Sequence, residues 1–163
     1  MVQSKRSSAD GREGEAGTGE IELRAPGPGD LGWVVQAHGE IYAREYGWDQ
    51  RFEAMVAGIV AEFVARCDAR RSRGWIAMLG GERVGSAFVM AQSKRVAKLR
   101  LLLVDPRARG RGLGKRLVRE CIAFARMQGY RRLVLWTQSN LLAARAIYET
   151  MLASLEATDA RTL

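Results

Sequence analysis

The chain has 163 residues, 47% apolar and 27% charged, the size and make-up of one globular domain rather than two. Its net charge of +8 is unevenly spread: residues 94–132 hold thirteen basic and two acidic side chains, so that stretch is +11 and the remainder −3. No apolar run approaches the roughly 18 residues of a bilayer span, and the two cysteines have neither CxxC spacing nor a neighbouring His, which excludes a spanning helix, a zinc site and a disulfide framework.

Residues 1–19 are Gly, Ser, Glu and Arg with almost nothing apolar, too little to offset the entropy of ordering. A disordered lead is expected there, with the domain occupying residues 20–163. Ile21, Leu23 and Ala25 alternate as a strand that Pro26 and Pro28 stop. Asp30 is placed to cap a helix carrying Trp33, Val34, Ala37, Ile41 and Tyr42, which ends at Gly47. A second helix starts near Asp49, with Phe52, Val56, Ile59, Phe63 and Cys67 in one stripe. Residues 75–79 and 84–90 form a hairpin around Gly80 and Gly81. The run 97–104 alternates at first, then becomes wholly apolar before Asp105 and Pro106, so its far end is expected to be buried on both faces. Leu113, Leu117, Cys121 and Ala125 mark a helix closing at Gly129, residues 133–136 a short strand, and residues from Asn140 a last helix. The order is β-α-α-β-β-β-α-β-α, an α/β fold with a mixed sheet and helices on its faces. Both cysteines fall in apolar helical patterns and are expected to be free core thiols in a soluble, cytoplasmic protein.

The segment Arg109-Gly110-Arg111-Gly112-Leu113-Gly114-Lys115 joins a buried strand to an amphipathic helix. Backbone amides at a helix start are unpaired and point outward, and glycines let an anion approach them. A pyrophosphate cradle is therefore favoured over a solvated basic loop. It is not a Walker loop, because Arg109 stands where the first Gly belongs and Arg116 where Ser or Thr belongs. Nor is it the dinucleotide pattern, since the glycines are spaced GxGxG and no acidic residue ends the next strand.

The motif that matches is Arg-x-x-Gly-x-Gly at Arg109, Gly112 and Gly114, preceded by Leu-Leu-Leu-Val-Asp-Pro and followed at a distance by the helix from Asn140 to Tyr148. With it the chain resembles the GNAT superfamily of N-acetyltransferases, from about residue 21 to 148. Residues 32–35 and 45–49 further resemble the acetyltransferase half of bacterial MarR-type regulator/acetyltransferase fusions.

The resemblance implies acetyl-CoA as cofactor. The amides of residues 109–115 would hold its pyrophosphate, while Leu103 and Val104 would pair with its pantetheine through backbone groups. Asn140 matches a position contacting the cofactor arm, and Tyr148 the tyrosine beside the thioester sulfur. The chemistry asks for such groups: a neutral amine attacks the thioester carbonyl, negative charge grows on its oxygen, and a thiolate leaves that a hydroxyl can protonate. Tyr148 suits that last task, although a tyrosine ending an amphipathic helix is otherwise an ordinary core residue.

For the general base, Glu45 is preferred over Glu40 and Asp49 in the helix and loop that line the acceptor side, against the simpler reading of a solvated carboxylate. His38, the only histidine, is read as packed rather than basic in function. Trp33, Tyr42, Tyr46 and Trp48 are candidates for an acceptor wall, with core packing the stronger role for Trp33 and Tyr42.

Family members usually continue past the tyrosine into two further strands. Here fifteen residues follow Tyr148, without Gly, Phe or Pro. The expectation is an atypical tail from about residue 150 and a missing terminal hairpin, which would expose the edge of the 133–136 strand and invite a homodimer. Three functions compete: an acetyl-CoA-dependent N-acetyltransferase acting on a small-molecule or peptide amine; a degenerate domain that binds coenzyme A without efficient turnover; and a nucleic-acid module using the basic stretch. The third lacks interleaved aromatics and a recognition-helix pattern, so no nucleic-acid partner is expected.

Overall fold

The computed structural model describes residues 19–135. Its elements are β1 (Glu22–Arg24), α1 (Asp30–Tyr46), α2 (Gln50–Ala65), β2 (Arg73–Leu79), β3 (Glu82–Ala91), β4 (Val96–Val104), α3 (Leu113–Met127) and β5 (Arg132–Leu135), with a 3-10 turn at Pro106–Ala108. This is the expected order as far as β5; the last helix and the terminal tail lie outside the described residues. The sheet order is β1-β2-β3-β4-β5, antiparallel through β4 and parallel between β4 and β5. Gly80 and Gly81, both with positive φ, make the two-residue turn between β2 and β3, the geometry that matches the twist of the strands they join.

Alternation along the strands splits the core in two. Trp75, Ala77, Val89, Ala97 and Leu99 meet the α3 stripe of Leu113, Leu117, Val118, Cys121 and Phe124 on one face. On the other, Ile76, Phe88, Met90 and Leu101 meet Val34 of α1 and Val56 and Phe63 of α2. Edge-to-face rings tie each layer, Trp75 with Phe124 at 6.0 Å and Phe63 with Phe88 at 4.9 Å between centroids, worth about 0.5–1.5 kcal/mol each beyond buried area. Phe88 packs so closely that a Cβ on Gly74 would stand 2.6 Å from its ring.

One irregularity matters for the site. Ser86 pairs with Leu103 but Phe88 with Arg100, so Leu101 and Leu102 together face Ala87. Leu101 has φ 54, a left-handed conformation costing a leucine about 1–2 kcal/mol. This bulge changes which side chains face which layer. Ala97 and Leu99 lie against α3 before it, and Leu102 and Val104 do so after it. Leu101 and Leu103 pack toward the α1 side. The expected burial of both faces at the end of β4 needs correction, because Leu102 and Val104 are only half-buried.

Two further expectations are corrected. Asp30 does not cap α1: Gly29 holds the cap position and Asp30 opens the helix, drawn inward by arginines from two strands. Cys67 is exposed, since α2 stops at Ala65 before the stripe reaches it, whereas Cys121 is buried in the α3 layer. Burial pushes the Cys121 thiol up and keeps it protonated. Asp49 does cap α2, accepting from the Arg51 amide at 3.0 Å.

Candidate functional site

The end of β4, the 3-10 turn and the start of α3 meet at one place. The Asp105 amide bonds to the Val84 carbonyl at 2.8 Å, and its carboxylate accepts from the Arg107 amide at 2.9 Å. Arg107 also reaches Glu82 at the start of β3, so it braces the loop. Ala108 is fully buried beneath. The chain then rises through Gly110 (φ 77) and Gly112 (φ 74) into α3. A Cβ built on either glycine meets nothing within 4 Å. Backbone conformation, not crowding, is what requires glycine there, and among the described residues no atom stands over these two positions.

The first α3 bond runs from the Arg116 amide to the Gly112 carbonyl at 3.0 Å, which leaves the amides of Leu113, Gly114 and Lys115 ahead of the helical ladder. Among the described residues no side chain caps this end, and no acidic residue lies in its first turn. The positive end of the helix dipole thus faces open space beside exposed Arg109, Arg111 and Lys115. Gly114 rests on β4, its added Cβ 3.7 Å from Val104. Leu113 is buried in the α3 layer, so only its backbone can serve a ligand. An amide cluster ahead of the helical ladder and uncapped among the described residues fits a pyrophosphate.

Beyond the loop, β4 pairs with β5 from Val96↔Arg132 to Leu99↔Leu135, and Leu135 is the last described residue. The Leu103 side chain packs on Ala37 and Ile41 of α1, leaving its backbone as the group to engage a ligand.

Sequence reasoning named Glu45 and Arg109 for separate tasks, and the fold brings them together: Arg109 Nη1 lies 2.5 Å from Glu45 Oε1. The bond to Glu45 raises the Arg109 pKa. Nothing in the spacing of sixty-odd residues signals this pair. Next to it, Tyr42, Tyr46, Trp48 and Phe52 cluster at the α1–α2 junction in tilted and edge-on contacts, with Tyr42 4.6 Å from Phe52 and 5.2 Å from Trp48 between centroids. Burial first, then Tyr46 and Glu45, push the Tyr42 hydroxyl up to about 12. Of the other base candidates, Glu40 accepts from Gln36 and Asp49 serves as a cap. Asn140 and Tyr148 lie outside the described residues.

His38 is buried, with Nδ1 2.7 Å from the Val34 carbonyl. Burial holds its pKa down to about 4, so it stays neutral and packs. Its linkage has a definite sign. An unfolded histidine gains its proton near 6.5 while the folded one resists until about 4, so the contribution is intact above the first value and lost as pH falls toward the second. Urea unfolding should show about 2 kcal/mol less stability at about pH 5.0 than at about pH 7.5, and His38→Gln should remove most of that difference. Equal pH dependence in both proteins would contradict this reading.

The sequence model of the acetyltransferase (GNAT) family matches residues 35–152. The chain belongs to that family. Among relatives, an N-acetylaspartate synthetase of Danio rerio is 39% identical over 80 residues, covering 47% of this chain and 28% of that protein. Human N-acetyltransferase 8B is 40% identical over 70 residues, 42% of this chain and 31% of that one. The chain thus spans under a third of the length of these relatives. Solved structures agree in fold. A GNAT-family acetyltransferase from Staphylococcus aureus Mu50 superposes with TM-score 0.69 at 16% identity, covering 80% of this chain and 82% of that one. An acetyltransferase from Streptococcus agalactiae 2603 gives 0.66 at 21%, covering 80% and 81%. The GNAT fold of this chain carries no helix, among the described residues, long and apolar enough to cross a membrane.

Proposed function

We propose that the chain is an acetyl-CoA-dependent N-acetyltransferase that passes an acetyl group directly to a primary amine. The observation carrying this reading is the uncapped start of α3 beneath the open space over Gly110 and Gly112. The amides of residues 109–115 would hold the pyrophosphate, with charge assistance from the arginines and Lys115. The backbones of Leu103 and Val104 and the side chain of Asn140 would hold the cofactor arm. When bound, coenzyme A supplies an acetyl group activated as a thioester.

The remaining chemistry belongs to side chains. Tyr148 would keep a proton on its hydroxyl for the departing sulfur, and Glu45 would take one from the acceptor ammonium. Glu45 carries an Arg109 partner in this structure, so a pyrophosphate drawing Arg109 toward itself would release the carboxylate. The clustered rings of Tyr42, Tyr46, Trp48 and Phe52 beside this pair offer an apolar wall to the acceptor.

The test is free-thiol release from acetyl-CoA with a panel of amines, which includes aspartate because the matched relatives bear the name N-acetylaspartate synthetase. Amine-dependent release is expected, and Tyr148→Phe should slow it by about a hundredfold without changing coenzyme A affinity. Binding without release for any amine would replace this reading with a domain that holds coenzyme A and does not turn it over.

A further inference from the structure

Among the buried polar groups that the proposed chemistry leaves unused, Ser86 stands out by its position. It lies on β3, fully buried, and its hydroxyl donates to the Leu101 carbonyl at 2.7 Å. Leu101 is the left-handed residue of the β4 bulge. Two β4 residues facing Ala87 alone interrupt the regular pairing at this point, and a buried carbonyl beside such an interruption needs a donor. The Ser86 hydroxyl is that donor. In the apolar β3 run from Val84 to Met90 it is also the one side chain able to donate.

We infer that Ser86 is a positioning residue for the acyl carrier: its hydroxyl pins the bulge, and the bulge fixes how the backbone groups of Leu102, Leu103 and Val104 are presented. The inference rests on the coenzyme A reading above. A leucine held in a left-handed conformation relaxes when the bond that fixes it is removed, and pairing that slips by one residue turns every following group to the opposite side. The phosphate loop should not follow such a slip. It is anchored separately, through the Asp105 amide on Val84 and through Arg107 on Asp105 and Glu82. Loss of the hydroxyl is therefore a defect of the arm and not of the cradle.

Two probes separate these parts: ADP, which offers the loop a pyrophosphate, and coenzyme A, which adds the pantetheine arm. Calorimetric titration of the full chain should find that Ser86→Ala weakens coenzyme A by about tenfold, the order expected when a buried carbonyl loses its donor. ADP affinity should stay within about twofold of the wild type. Ser86→Thr, which keeps a hydroxyl, should restore the wild-type ratio of the two affinities. An unchanged ratio in Ser86→Ala overturns the inference, as does equal weakening of both probes, which would mark Ser86 as a general structural residue. A wild-type chain that binds neither probe overturns the coenzyme A reading itself and the role of Ser86 with it.

Discussion

Gly112→Val should weaken acetyl-CoA binding by about a hundredfold while the protein remains folded. Gly112 has φ 74 at the cap of α3, where a β-branched residue costs about 1–2 kcal/mol or more. Its side chain would also enter the open space over the amides of Leu113, Gly114 and Lys115, where the proposed pyrophosphate sits. The free loop can relax from the strained conformation and must recover it to bind, so the conformational and steric costs together approach about 3 kcal/mol, close to two decades in affinity. Gly112→Ala should lose about tenfold, since it brings the conformational cost with less bulk. Gly32 provides the control: it lies inside α1 without a positive φ, and an added Cβ there meets nothing within 4 Å. Gly32→Ala should bind like the wild type and unfold at a slightly higher temperature. Titration calorimetry of the four proteins decides the matter; equal affinity in Gly112→Val would show that the loop amides do not hold the ligand.

Asp30→Ala should destabilise the fold by about 3 kcal/mol. The carboxylate is 2% exposed and accepts four donors: Arg24 at 2.5 and 3.0 Å, Arg83 at 2.6 Å and the Gly27 amide at 2.6 Å. It locks the start of α1 to β1 and β3. Removal strands two guanidiniums, each part-exposed and able to recover some water, so the cost lies toward the lower end for a broken buried pair. The bond from Arg24 leads in holding the Asp30 pKa well below its ordinary 3.8, with Gly27 and Arg83 adding to it against burial. A depressed carboxylate pKa means that this stability is complete above the ordinary value and is lost as pH falls through the acid range. Urea unfolding at neutral pH measures the difference directly. A loss under about 1 kcal/mol would reduce the cluster to a surface-type ion pair.

How much of this was legible in the sequence varies with the range of the interaction. Periodicity placed every described strand and helix, because alternation and helical spacing are local properties of the chain. The glycine-rich loop before α3 was legible for the same reason: Gly110 and Gly112 record a local backbone conformation with positive φ. The Asp30 cluster was not. An Asp after Gly at a helix start reads as a cap, and only the folded sheet carries Arg83 to it across fifty-three positions. Cys67 was misplaced because the apolar stripe continues past the point where α2 ends. The β4 bulge left no mark in a run of three leucines, although Ser86 in an otherwise apolar strand was a signal available to be read. The +11 stretch also changes meaning in three dimensions. Arg100, Arg107 and Arg109 pair with Glu62, Asp105 with Glu82, and Glu45, so part of the local charge is spent within the fold while the helix start keeps its positive end open.

The most direct test of the central claim is calorimetric titration of the full wild-type chain with acetyl-CoA. The start of α3, uncapped among the described residues, predicts saturable binding of one acetyl-CoA per chain, weakened about a hundredfold in Gly112→Val. Absence of any binding heat at about 1 mM ligand, where even an affinity worth about 4 kcal/mol would register, would contradict it.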